Sequence, residues 1–393
     1  MAGSVIIAGA RTPIGKMSGG FASMSAADLG GVAIAGALER AGVSADQVDY
    51  VFMGHVIQAG AGQITARQAA SNAGIPMSVP STTVNKVCLS GLNAIYLADQ
   101  MVQSGDADIV VAGGMESMTN APYLLPDARS GMRLGDKSVV DSMMYDGLFC
   151  AFDQCAMGLG TEKYAASAGL DREPQDKIAA DSHARAAAAI KDGLLAEEIV
   201  AVEVPQRRGD PVVVDTDEGV RVETTEESLG KLRPAFDKAG NITAGNASQI
   251  SDGASAVVVM SKAKAEELGL SPLGEILGYG QVAGPDPSLL TQPSRSSMLA
   301  LEQAGLSVDD IDLWELNEAF AAVSLASMED LGISDDIVNV NGGAIALGHP
   351  VGMSGNRLAL TLLHELKRRG GGTGVAALCG GGGQGDAIVV RTL

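Results

Sequence analysis

The 393-residue chain sets 27 basic residues against 47 acidic ones, a formal net charge of −20, with 46% hydrophobic residues and 51 glycines. That charge repels nucleic acid and anionic membranes, and the composition excludes a disordered or fibrous chain in favour of a turn-rich globular one with a large core. Its four cysteines, Cys88, Cys150, Cys155 and Cys379, lack the paired spacing of a zinc site and are too sparse for a disulfide framework, and no apolar run approaches a membrane span. A metal-free cytoplasmic protein without nucleic-acid or membrane partners is therefore expected.

In chain order, residues 4–9 read as a buried strand followed by the turn Arg11-Thr12-Pro13-Ile14-Gly15. Residues 28–40 carry Leu29, Val32, Ala33, Gly36 and Ala37 at helical spacing; residues 50–54 predict a strand with His55 just beyond it; residues 66–73 predict a short helix. Thr82-Thr83-Val84 is a β-branched run, after which Leu92, Ile95, Ala98 and Val102 predict a helix over 92–103, and residues 108–112 a further buried strand. Strands alternating with helices at this pace indicate an α/β fold with a largely parallel sheet. Between about 119 and 248 the composition shifts to Met, Pro, Gly and charge, with one clear helix at 172–191, and regular patterning resumes at 254–260.

The chain contains an internal repeat. Val84-Asn85, Ser90-Gly91, a helix, a strand and Gly113-Gly114 are echoed by Val340-Asn341, Ser354-Gly355, a helix, a strand and Gly380-Gly381. Two similar halves facing one another are expected, with residues 1–118 and 249–270 in the first, 271–393 in the second, and 119–248 as an excursion.

Cys88 falls where the β-branched run gives way to a helix. Free N–H groups and the helix dipole there are expected to lower its thiol pKa and make it a nucleophile, although a small buried cysteine is also ordinary core packing. Three C-terminal clusters accompany it. In Trp314-Glu315-Leu316-Asn317-Glu318-Ala319-Phe320 a strand at 311–313 passes to a helix, so Asn317 is either an N-cap or a holder of substrate oxygen or water. His349 lies in the glycine-rich stretch 341–352 and reads as a functional imidazole or a surface one. Cys379 ends a second strand and precedes Gly380-Gly381-Gly382-Gly383, whose N–H groups are candidates for an oxyanion hole.

Val84-Asn85-Lys86-Val87-Cys88-Leu89-Ser90-Gly91, Asn317-Glu318-Ala319-Phe320, Gly342-Gly343 through Gly348-His349-Pro350, and Cys379 with its glycines together resemble the signatures of the thiolase family, in order and over essentially the whole chain. The resemblance implies a thiolase-like α/β fold of two βαβαβ-type halves, sheets sandwiched between helices, with residues 119–248 as a loop domain that binds CoA and makes oligomer contacts. It implies acetyl-CoA acetyltransferase chemistry, with coenzyme A and acetyl-CoA as substrates and no permanently bound cofactor. Cys88 would be the nucleophile, His349 its base and Cys379 the second acid and base. His349 with a water held by Asn317 would form one oxyanion site, and the N–H groups of Cys88 and Gly381 the other. Arg221, Ser248, Phe320, Leu289 and Met157 would contact CoA or the acyl group, and a tetramer of paired dimers is implied.

Three features depart from the family pattern. Ala156 stands before Met157-Gly158 where many short-chain members have histidine, Gly380 follows the second cysteine where a β-branched residue is common, and Leu289 lies near a family methionine that borders the acyl group. A longer-chain 3-ketoacyl-CoA thiolase and an inactive CoA-binding relative are the alternatives. A decarboxylating ketosynthase fits less well because a second cysteine replaces the expected His/His or His/Asn pair. A nucleotide-binding module lacks its Gly-x-Gly-x-x-Gly strand and turn.

Overall fold

The structure is a computed structural model describing residues 4–393. Strand β1 (Ser4–Arg11) is followed by helix α1 (Ala26–Ala41), opened by a Ser25/Asp28 capping box and closed by Gly42 at φ 65°. Strand β2 (Tyr50–Gly54), helix α2 (Thr65–Asn72), strand β3 (Ser81–Val84), helix α3 (Ser90–Ser104) and strand β4 (Ile109–Ser117) come next. Helices α4 (Met157–Ser167) and α5 (Arg172–Lys191) lie in the excursion. The chain then forms β5 (Ser251–Ser261), β6 (Gly274–Ala283), α6 (Gln292–Ala304), β7 (Leu313–Leu316), α7 (Ala321–Leu331), α8 (Ser354–Arg368), β8 (Thr373–Gly380) and β9 (Gln384–Thr392).

These strands form one ten-stranded mixed sheet ordered β7-β8-β9-β6-β1-β5-β4-β2-β3, with the short strand Gly15–Lys16 beside β5. Its halves repeat one pattern. β2 is parallel to β4, β4 antiparallel to β5 and β5 to β1; β7 is parallel to β8, β8 antiparallel to β9 and β9 to β6. The halves are joined through Val5↔Glu275 and Ile6↔Gly274.

Helices α3 and α8 lie together at the centre. Their Leu92, Ile95, Leu358 and Leu362 share one apolar cluster with Val110 and Ala112 of β4 and Leu378 of β8. Helix α1 covers the outer face of the first half through Leu29, Ala33 and Ile34, and α6 that of the second through Ala300 and Leu301. Central strands covered on both faces are apolar throughout, which is why they were conspicuous in the sequence.

The expected α/β architecture with helix-covered sheets is present, but the sheet is not largely parallel: antiparallel pairs outnumber parallel ones because β5, β1, β6 and β9 run against their neighbours at its centre. Three local expectations are also corrected. The strand expected at 311–313 is β7, running to Leu316, and its helix begins only at Ala321, so Asn317 is not an N-cap; Phe320 takes that position. The excursion holds α4 as well as α5. Glycines 158 and 160 weaken its helix signal, and Gly158 is required because a Cβ there would lie 2.2 Å from the Phe236 ring. The polar stretch near 212–227 contains the hairpin strand Val212–Val214, paired with Val202–Val204, and a short helix Glu226–Gly230. Among the described residues, no helix is long and apolar enough to cross a membrane.

Candidate active site

The Cys88 turn is built by its neighbours. Val87 has φ 50°, a left-handed conformation unusual for a β-branched residue. Ser90 Oγ holds the turn from inside, accepting from Lys86 N at 2.8 Å and donating to Val87 O at 2.6 Å. Lys86 reaches across to the second half, where Nζ lies 2.7 and 2.9 Å from the two carboxylate oxygens of buried Asp386. Asp386 also accepts from Tyr279 Oη at 2.7 Å and faces Leu378, the neighbour of Cys379, across the β8–β9 ladder. One ion pair thereby ties the loop of one cysteine to the strand of the other.

The two Ser-Gly pairs mark where α3 and α8 abut. A Cβ on Gly91 would lie 2.8 Å from Gly352 O, and one on Gly355 would lie 2.6 Å from Leu92 N. Only glycine permits this approach at the first turns of the helices. Cys88 precedes one of these helices and His349 the other.

The His349 tautomer follows from its partners. Ser354 Oγ donates its one proton to Pro350 O at 3.0 Å and therefore accepts from His349 Nδ1–H at 2.6 Å. Nε2 is left unprotonated, 3.4 Å from Asn317 Nδ2. Burial, followed by the charge of Arg357, lowers the imidazole pKa to about 3, so it is neutral and able to take up a proton only from a reacting group. Asn317 is anchored by its N–H to Ala377 O at 3.0 Å, and its buried Oδ1 has no protein partner. It is thus free to accept from a bound molecule.

Cys88 and Cys379 are both buried, and each thiol pKa is raised. Burial pushes Cys88 up to about 12, while its own N–H and that of Gly381 act in the opposite direction. Burial raises Cys379 first, and the neighbouring Cys88 raises it further. The expectation of a lowered Cys88 pKa is therefore overturned: the sulfur is removed from water with no cation beside it, and desolvation outweighs two N–H groups. A neutral thiol and a neutral imidazole are the resting arrangement.

A groove of about 520 Å³ leads inward and is lined by Arg221, Ser248, Met157, Phe320 and His349, among others. Ser248 and Phe320 come together because Ser248 N donates to Ala319 O and Ala321 N to Asn246 O. Phe236 meets Phe320 edge-on, with ring centroids 6.2 Å apart. Arg221 N donates to buried His183 Nδ1 at 3.1 Å. Leu289 is not on this groove; it belongs to the apolar cluster of Cys379 and Ala319, against which Met157 and Phe320 pack.

The departures at Ala156 and Gly380 have local explanations. Ala156 lines the groove, where a larger side chain would narrow it. A Cβ on Gly380 would lie 2.5 Å from Leu89 Cγ, so Leu89 fills the space that a larger residue at 380 would need. Among the described residues no group of three or more His, Cys, Asp or Glu side chains could hold a metal ion. Sequence reasoning passed over Lys86, Ser354 and Asp386; the only signal was that Lys86 and Ser354 lie inside the motifs that carry Cys88 and follow His349.

Family models for the thiolase N-terminal and C-terminal domains match residues 4–263 and 270–392. The chain is 56% identical over 387 residues to a probable acetyl-CoA acetyltransferase of Mycolicibacterium smegmatis, covering 98% of this chain and 100% of that one. It is 52% identical over 388 residues to an acetyl-CoA acetyltransferase of Cupriavidus necator, covering 98% of each. A further acetyl-CoA acetyltransferase, from Pseudomonas aeruginosa, is 51% identical over 387 residues, again with 98% of each covered. The chain belongs to the thiolase family of acyltransferases.

Proposed function

We propose that this protein is an acetyl-CoA C-acetyltransferase, reversibly joining two acetyl-CoA molecules into acetoacetyl-CoA and CoA through an acetyl group carried on Cys88. The observation that carries the reading is the pair of buried thiols, Cys88 and Cys379, beside the N–H of Gly381. The names of the full-length relatives support the substrate assignment.

In the proposed sequence His349 Nε2 takes the Cys88 proton as the sulfur attacks the thioester carbonyl, and that proton leaves with CoA. Cys379 next gives its own thiol proton to the freed His349 and, as a thiolate, removes a proton from the methyl of a second acetyl-CoA. The resulting carbanion attacks acetyl-Cys88, and the released Cys88 thiolate takes the proton held by His349, which leaves both cysteines as neutral thiols. The N–H groups of Cys88 and Gly381 stabilise the oxygen charge on the acetyl-enzyme, and His349 with a water held by Asn317 stabilises that on the second thioester. Arg221, Ser248, Met157 and Phe320 hold CoA along the groove, and Leu289 closes the apolar side of the acyl site.

The same reading assigns residues 119–248 to a CoA-carrying loop domain between halves formed by 1–118 with 249–270 and by 271–393. It assigns a cytoplasmic tetramer of paired dimers, which a sizing measurement returning a monomer would refute. Substrate range is tested by CoA-dependent loss of acetoacetyl-CoA beside a ladder of longer 3-ketoacyl-CoA thioesters. Activity confined to the four-carbon substrate is expected, and equal activity on six carbons or more would move the protein to the longer-chain thiolases.

A further inference from the structure

We infer that Glu116, which lies outside the motifs assigned above, is a positioning residue that sets His349 against the Cys88 turn across the junction of the two halves. The inference rests on the reading of His349 as the base.

Glu116 stands near the end of β4 and is fully buried. Its Oε2 accepts from Gly352 N at 3.0 Å and Val56 N at 3.1 Å; its Oε1 accepts from Ile57 N at 3.2 Å and lies 3.3 Å from His55 Nε2. His55 is itself held by Thr65 Oγ1, 2.9 Å from Nδ1. Two carboxylate oxygens thus meet four nitrogens, which a glutamine cannot do because its amide would turn N–H groups toward one of the two pairs.

Gly352 is the element through which this anchor acts. It follows His349 by three residues and precedes Ser354, the partner of His349 Nδ1, by two. Its carbonyl is inserted into the first half, where a Cβ on Gly54, Gly91 or Gly114 would come within 2.7, 2.8 or 2.0 Å of it. Gly91 lies in the first turn of α3, three residues after Cys88. The backbone that carries the base is therefore wedged against the backbone that carries the nucleophile, and Glu116 holds the wedge by its N–H.

The internal repeat gives the position an independent meaning. Gly54 pairs with Gly114 between β2 and β4, and Leu316 with Ala377 between β7 and β8. One residue beyond the first member of each pair stand His55 and Asn317, and two beyond the second stand Glu116 and Cys379. The position that supplies a second thiol in one half supplies an anchor in the other.

The test uses the full-length protein and a cycle of Glu116→Gln, His349→Ala and the double variant, with iodoacetamide alkylation of Cys88 as the readout. Glu116→Gln is expected to slow alkylation about 10- to 100-fold, as a misplacement of about 1 Å does for positioned groups. In thiolysis it should lower kcat while KM for acetoacetyl-CoA stays within about threefold. In the His349→Ala background the same substitution should add no further slowing, because loss of the Glu116 charge acts on the Cys88 thiol only by easing its ionisation. Full multiplicative slowing in the double variant, or wild-type alkylation in Glu116→Gln, would overturn the inference alone. Wild-type alkylation in His349→Ala would overturn the underlying assignment of the base. Should Glu116→Gln not fold, Gly352→Ala enters the cycle in its place, because its Cβ would press on Met115 O at 2.6 Å and on Glu116 Oε2 at 2.9 Å and disturb the same joint.

Discussion

Removing the imidazole of His349 should expose the intrinsic acidity of the Cys88 thiol. With that thiol raised to about 12 by burial, unassisted ionisation at pH 7.5 leaves roughly one sulfur in thirty thousand as thiolate, against about one in ten for an ordinary cysteine. The wild-type enzyme escapes this limit if Nε2, unprotonated and neutral, takes the proton during attack. His349→Ala should therefore slow acylation of Cys88 by about 10²–10⁴-fold, the usual contribution of a positioned base. The residual rate should rise about tenfold per pH unit from 7 through 10, because only the small thiolate fraction reacts. The assay is the rate of acetyl transfer from acetyl-CoA to the enzyme across that pH range, with circular dichroism to confirm folding at each point. A plateau near pH 8.5 would refute the reasoning, since it would mean that burial does not control this sulfur.

Cys379→Ala should leave acylation of Cys88 intact while lowering condensation by about 10²-fold or more, read as acetyl-enzyme formed without acetoacetyl-CoA; near-normal condensation would remove Cys379 from its role. Lys86→Met strands a fully buried carboxylate at Asp386 and should cost about 3–5 kcal/mol in denaturant unfolding. Burial already raises the Asp386 pKa, and without Lys86 it rises further; the folded variant binds a proton more tightly than the unfolded chain. Its stability should accordingly be closest to wild type at low pH and fall away as pH rises, whereas a gap independent of pH would contradict the pairing. The folded His349 pKa of about 3 lies below the unfolded value of about 6.5, so the unfolded state takes the proton first as pH falls. That contribution to stability is lost between those values, and His349→Gln should flatten the slope of unfolding free energy against pH there; an unchanged slope would count against the buried neutral imidazole.

Much of the site could be read locally. Cys88, Asn317, His349 and Cys379 each lie at the end of a strand or ahead of a helix, and all but Asn317 stand within a few residues of glycines whose purpose is close backbone approach; such patterns survive in a linear sequence. The repeat of Ser90-Gly91 in Ser354-Gly355 foreshadowed the contact between α3 and α8. What lay hidden depends on partners far apart in the chain. Fully buried Arg11 binds Glu198 at 2.6 Å and Asp217 at 2.7 Å, fastening the start of the chain to the excursion, and neither acid is marked by local spacing. Lys86 with Asp386 and Glu116 with Gly352 are hidden for the same reason. The direction of the Cys88 pKa was misread because a helix terminus is visible in sequence, whereas the depth at which the sulfur is buried is set by the second half folding over it.

The most direct measurement is the mass of the protein after incubation with acetyl-CoA, followed by peptide mapping, in wild type and Cys88→Ala. The account predicts one acetyl group on Cys88 in the wild type, removed by added CoA, and none in the variant. An acetyl group on another residue, or none in the wild type, would contradict the assignment of Cys88 as the acyl carrier.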